Sequence, residues 1–242
     1  MYIEYITVAG KTAEVLRTYR WPVKGIRSSS RGPASEPKRL EYYAKVNKVN
    51  AHRKLTRILN ANFDDADMWV TFTVDPAYGL SHMDAYTEFG KFRHRYKYFL
   101  SRHGVEFKYV YAVGEKDKIP HIHLITSCPK DENMDEAFKR LWKFGYTRFR
   151  NLDTSGNYHR VSSYIIKHTD ATFRSGACGM KKRFQCSKGL VRPKPVIYHV
   201  GDFCWDDDPE VPAGFHLDYD TLYNGFDPIT REKIQRFTIV KD

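Results

Sequence analysis

The chain has 242 residues, 41% of them hydrophobic, and a formal net charge of +11 from 40 Lys and Arg against 29 Asp and Glu. That apolar fraction is enough for a core, which excludes general disorder, and no apolar run approaches the ~18 residues that span a bilayer. The excess of positive charge, with 15% aromatic residues, makes a polyanion the first partner to consider.

Residues 1–9 alternate in β-type residues and predict a strand. Residues 22–37 are basic and rich in Ser, Pro and Gly, which predicts a loop. A basic amphipathic helix is expected over Leu40 to Leu59, capped by Ser35, with Val46, Val49, Leu55, Ile58 and Leu59 on its apolar side. Met68 to Val74 reads as a strand ended by Asp75-Pro76. Ser81 is a cap for a helix reaching Arg102. Strands follow at Phe107–Val113 and Ile119–Thr126, joined by a tight hairpin. A helix over 131–143, a short strand at 146–150, a helix from His159 to Thr169 and a strand at 195–199 come next, with turns expected in the acidic stretch beyond. Helices alternating with antiparallel strands indicate an α+β fold, a central antiparallel sheet flanked by helices. The expected organisation is one DNA-handling domain over residues 1–200, with a basic extension at 1–61 and a motif core at 65–195. An acidic appendage at 201–242 is expected to pack on the same domain.

The charge is segregated. Residues 1–61 carry net +9, 62–138 carry −4, 139–194 carry +12, and 195–230 carry −8 with no Lys or Arg. Two basic blocks on either side of a neutral-to-acidic stretch suit the two walls of a groove for a phosphate backbone. The cysteines Cys128, Cys178, Cys186 and Cys204 form no Cys-x-x-Cys pair, so free thiols are expected rather than a zinc site. Met1-Tyr2-Ile3-Glu4-Tyr5 lacks the start of a secretory signal, and a cytoplasmic location is expected.

Two segments carry chemistry. In His121-Ile122-His123 the two imidazoles are two apart on a strand and share a face, so both can converge on one cation. A hairpin turn centred on Asp117-Lys118 is expected to set Glu115 across from His121 as a third ligand. Carboxylate plus imidazole suits Mg²⁺ or Mn²⁺ with open positions. A histidine-triad hydrolase would need a third His at position 125, which is Ile. In Tyr164-Ile165-Ile166-Lys167-His168, Tyr164 shares a helix face with Lys167 and with His168. A phenol is a weak nucleophile unless a metal polarises the group it attacks and a cation steadies the charge that develops.

Taken together, these segments resemble the HUH endonucleases, and more narrowly the single-tyrosine rolling-circle replication initiator (Rep) proteins of bacterial plasmids and phages. Three motifs stand in the family's order: Val70-Thr71-Phe72-Thr73, Pro120-His121-Ile122-His123-Leu124 and Tyr164-Ile165-Ile166-Lys167. Residues Lys182 to Leu190 also look like a Phe-x-x-Ser-Lys-Gly-Leu tail found in some members. The resemblance implies a ferredoxin- or RRM-like sheet and a metal-dependent endonuclease and strand transferase. His121 and His123 would be metal ligands, with Glu115 or His168 as the third. Tyr164 would be the nucleophile that forms a 5′-phosphotyrosine, assisted by Lys167. Single-stranded or hairpin origin DNA would be the substrate, with a host helicase and polymerase as partners in a bacterial cell and no role for a membrane. A relaxase or transposase of a mobile element, and a non-catalytic RRM-like module displaying Tyr109 and Tyr111, are the alternatives.

Overall fold

A computed structural model describes residues 1–19, 37–227 and 232–242. The loop expected at 22–37 lies almost wholly outside those residues, as does the Ser35 cap. The chain divides into two compact units, residues 48–191 and residues 1–47 with 192–242, the division falling inside the first helix.

The larger unit is built on strands that bury both faces. Strands β3 (Met68–Val74), β4 (Tyr109–Lys116), β5 (Ile119–Thr126), β6 (Gly145–Asn151) and β7 (Gln185–Cys186) form an antiparallel sheet in the order β6-β3-β5-β4-β7. Helix α2 (His82–Arg102) joins β3 to β4, and α3 (Met134–Leu141) joins β5 to β6. The run β3-α2-β4-β5-α3-β6 is therefore a β-α-β-β-α-β unit with the first strand between the last and the third, a ferredoxin-like topology. The α+β expectation holds.

Strand alternation divides the side chains. Val70, Phe72, Val113, Ile122 and Leu124 face α2 and α3, where they pack with Phe89, Phe92 and Phe138. Full burial of each such side chain stabilises the fold by about 2 kcal/mol. The other face carries Val110, Ala112 and Ile125. It is covered by α1 (Pro37–Asn62) through Leu55, Ile58 and Leu59, and by α4 (His159–Ser175) through Val161, Ile165 and Ile166. Val49, expected on the apolar side of α1, is exposed, because the buried stripe begins further along the helix. Helix α2 starts as expected at Ser81, whose hydroxyl accepts from the Asp84 amide at 3.1 Å while the Asp84 carboxylate accepts from the Ser81 amide. The Phe-x-x-Ser segment has a structural job. Phe184 is buried with Leu55 and Ile165, Gln185 and Cys186 pair with β4, and Ser187 accepts from the Tyr109 amide at 3.1 Å.

The second unit joins the two ends of the chain. Strands β1 (Tyr2–Ala9), β2 (Thr12–Thr18), β8 (Val196–Val200), β9 (Phe215–Phe226) and β10 (Lys233–Lys241) form an antiparallel sheet in the order β8-β1-β2-β10-β9. Ala13, Val15, Phe237 and Ile239 make its core. Trp205 stacks on Tyr19 at 4.7 Å and meets Tyr2 edge-on. The acidic stretch thus contributes sheet strands as well as turns. Its strand β9 carries Asp218, Asp220, Asn224 and Gly225, residues poor in strand propensity that pair because β10 offers an apolar template.

Candidate active site

The β4–β5 hairpin sets the register. Asp117 and Lys118 both adopt positive φ, 54° and 65°, as a two-residue hairpin turn of matching twist requires. A two-residue turn pairs Lys116 with Ile119, Glu115 with Pro120 and Gly114 with His121. The expected pairing of Glu115 with His121 is therefore corrected by one position. Since alternate residues face opposite ways, Glu115 is on the face away from both histidines, where its Oε2 lies 2.9 Å from His82 Nε2. The structure does not bring Glu115 to the pair.

Strand β5 runs between β3 and β4, so each histidine has a neighbour on both sides. His123 is flanked by Thr71 and Ala112, and His121 by Thr73 and Gly114. Small residues on either side leave space above the two imidazoles. His121 Nδ1 donates to the Ile119 carbonyl at 2.9 Å, a group that only accepts, so a neutral ring keeps its Nε2 lone pair free. His123 Nδ1 is hydrogen-bonded to the Thr71 hydroxyl at 3.1 Å. Burial, then the charges of His121 and His168, hold the His123 pKa down at about 3, so the ring is neutral at physiological pH.

Helix α4 brings the tyrosine. Tyr158 stands at its start, where its amide donates to Asn60 Oδ1 at 2.9 Å and its hydroxyl to the Asp153 carbonyl at 3.1 Å. Tyr158 is 1% exposed and burial pushes its phenol pKa up, whereas Tyr164 is 43% exposed. Ile165, Ile166 and Thr169 anchor the helix in the core, which turns Tyr164, Lys167 and His168 outward as one stripe. The Tyr164 ring lies 4.0 Å from that of His168, 5.5 Å from His123 and 5.1 Å from Trp69, the last two edge-on. Burial, then Lys167, Lys116 and His121, lower the His168 pKa. The sheet therefore places Tyr164, His123 and His168 in ring contact, with His121 and Lys167 close enough to act on them electrostatically.

The close approach depends on Gly114. A Cβ at that position would stand 2.6 Å from the His168 carbonyl oxygen and 3.1 Å from the Thr169 methyl. A glycine inside a strand is a sequence sign of close backbone approach. Gly114, Thr71 and Trp69 are site residues to which sequence reasoning gave no role. Alternation within Met68 to Val74 puts Trp69 and Thr71 on one face, which is the signal that could have found them.

The donor set suits a divalent cation in part. Two neutral imidazoles on one strand face, each with Nδ1 engaged, fit a metal through Nε2. Among the described residues no three His, Cys, Asp or Glu side chains are already gathered around one point. His168 is the nearest further nitrogen ligand. The same face extends outward over Trp69, on which Arg150 stacks at 4.6 Å, and over the exposed Arg148 and Tyr146 of β6. By contrast Tyr111, required on the surface of an RRM-like module, is 1% exposed and packs against Phe89. Its odd position in β4 turns it into the core.

Residues 67–169 match a family model for replication-associated proteins of the ORF2 type. The matched stretch runs from the start of β3 into α4 and contains the histidine pair and Tyr164. Over these residues the chain is similar to replication-associated proteins. No curated protein and no solved structure matches it. Among the described residues no helix is long and apolar enough to cross a membrane.

Proposed function

We propose that the chain is a DNA endonuclease and strand transferase that opens a single strand at an origin and starts rolling-circle replication. The ring contacts of Tyr164 with His123 and His168 support this most directly, because they set a partly exposed phenol beside two imidazoles held neutral. The similarity to replication-associated proteins over the same residues agrees with it.

The Tyr164 oxygen attacks the scissile phosphorus. A bond forms between that oxygen and phosphorus, the bond from phosphorus to the 3′ oxygen breaks, and the phenol gives up its proton while the 3′ oxygen gains one. The product is a 5′-phosphotyrosine and a free 3′-OH. Rejoining reverses the exchange, so the energy of the phosphodiester is retained. His121 and His123, with His168 as the third nitrogen, would hold Mg²⁺ or Mn²⁺. When bound, such an ion supplies Lewis-acid polarisation of the phosphate. Lys167 steadies the negative charge that grows on the phosphate oxygens. Thr71 fixes the His123 ring, and the Ile119 carbonyl fixes that of His121. Trp69, Arg150 and Arg148 would receive the flanking bases and phosphates. A host helicase and polymerase would take over from the free 3′ end.

The test is cleavage of a pool of single-stranded origin oligonucleotides in Mn²⁺. His121→Ala and His123→Ala should each abolish cleavage and leave most salt-sensitive DNA binding, which is backbone electrostatics. Normal cleavage by either variant would remove the pair from the active site.

A further inference from the structure

On the face of the sheet opposite the histidines, α2 and α3 leave an open depression of about 510 Å³. Arg95, Tyr98, Phe99 and Arg102 come from α2, at a spacing that sets them along one helix face, and Arg140 and Leu141 come from α3. The floor is apolar and no carboxylate lines it. Two of the guanidinium groups are held in place: Arg95 donates to the Leu141 carbonyl at 3.0 Å, and Arg140 lies over the Phe99 ring at 5.9 Å. Tyr98 stands above them, 67% exposed. These residues have no part in the histidine–tyrosine site, because strand alternation sends Phe72, Ile122 and Leu124 toward α2 and α3 and His121 and His123 the other way.

We propose that this groove is a second binding surface for single-stranded nucleic acid. Arg95 and Arg102 are seven residues apart, about 10 Å along the helix axis, a span that allows each to meet a different phosphate. Fixed guanidinium groups favour phosphate oxygens, which they can engage through paired N–H donors. An exposed phenol over an apolar floor offers a stacking platform for a base, a feature that an acidic peptide would leave unused. A strand bound here is held apart from the reacting phosphate, which suits a displaced or flanking segment of the same DNA. The proposed function enters only in taking DNA as the polyanion.

The experiment uses the full chain in EDTA, so that no cleavage occurs, with a fluorescent dT15 oligonucleotide as the probe. Arg95→Gln/Arg102→Gln/Arg140→Gln should weaken binding at least tenfold and reduce the slope of log K against log salt by about 2, from the loss of three phosphate contacts. Tyr98→Ala removes an exposed ring without touching the core. It should weaken binding about tenfold at an unchanged melting temperature. An oligonucleotide carrying 5-iodouracil should photocrosslink to the α2 peptide that contains Tyr98. Unchanged affinity and slope in the folded variants, or crosslinks confined to other peptides, would overturn the proposal. So would loss of poly-glutamate binding in the triple variant with dT15 binding intact, which would mark the groove as an acidic-peptide site. Cleavage of origin DNA is assayed separately, so failure here leaves the Tyr164 chemistry standing, and the reverse also holds.

Discussion

Gly114 and His168 are in backbone contact: a side-chain carbon on the glycine would come within 2.6 Å of the His168 carbonyl oxygen. That contact seats α4 on β4 and carries Tyr164 over the histidines. Gly114→Ala should push the helix outward. The expected cost is about 1–3 kcal/mol of stability in denaturant unfolding, from overpacking. Single-turnover nicking should fall at least tenfold, because small misplacement of a nucleophile is costly. Wild-type nicking by a stably folded Gly114→Ala would show that α4 needs no such approach.

Thr71 touches the site only through His123 Nδ1. Thr71→Val keeps the shape and removes the hydroxyl. Partners of this kind typically contribute 10–100-fold to metal affinity, so Mn²⁺ titration should show a loss of that order. Thr71→Ser should retain affinity. Equal Mn²⁺ binding by Thr71→Val and wild type would leave the hydroxyl without a positioning role.

Burial holds His123 neutral down to a pKa of about 3, against 6.5 for the free group. Below pH 6.5 the unfolded chain takes up a proton that the folded chain refuses. Stability from this group is therefore complete above pH 6.5 and is lost progressively as pH falls toward 3. Between pH 7 and pH 4 the loss is on the order of 3 kcal/mol. Denaturant unfolding of metal-free protein should show it, and His123→Asn should flatten the profile in that window. An identical pH profile in wild type and His123→Asn would mean that the ring titrates normally.

Lys118 holds a φ of 65°, in a region that glycine enters freely and other residues enter at a cost. Lys118→Gly turns the hairpin into the favoured Asp-Gly form and should raise stability by about 1 kcal/mol. Lys118→Val should lower it. Thermal melting of both variants distinguishes the two directions, and a loss of stability in Lys118→Gly would count against the turn geometry.

The residues that sequence periodicity could place were those governed by short-range geometry. His121 and His123 share a face because a strand alternates. Tyr164, Lys167 and His168 share one because a helix repeats every 3.6 residues. Glu115 escaped because a single residue of register decides which face it occupies, and the two-residue turn moves it to the far side. The second sheet escaped for a different reason. Residues 12–18 pair with 233–241, a contact across nearly the whole chain, and no local pattern marks such a partner. Gly114 showed only as an absent side chain, whose purpose depends on what packs above it.

The chemical identity of the DNA linkage decides whether Tyr164 is the nucleophile. The chain is incubated with Mn²⁺ and a single-stranded origin oligonucleotide, denatured and digested, and the nucleotide-bearing peptide is sequenced by mass spectrometry. The expected product is a 5′-phosphate esterified to Tyr164, absent from Tyr164→Phe and retained in Tyr158→Phe. Cleavage that leaves no covalent adduct, or an adduct mapped to any other residue, would overturn the assignment.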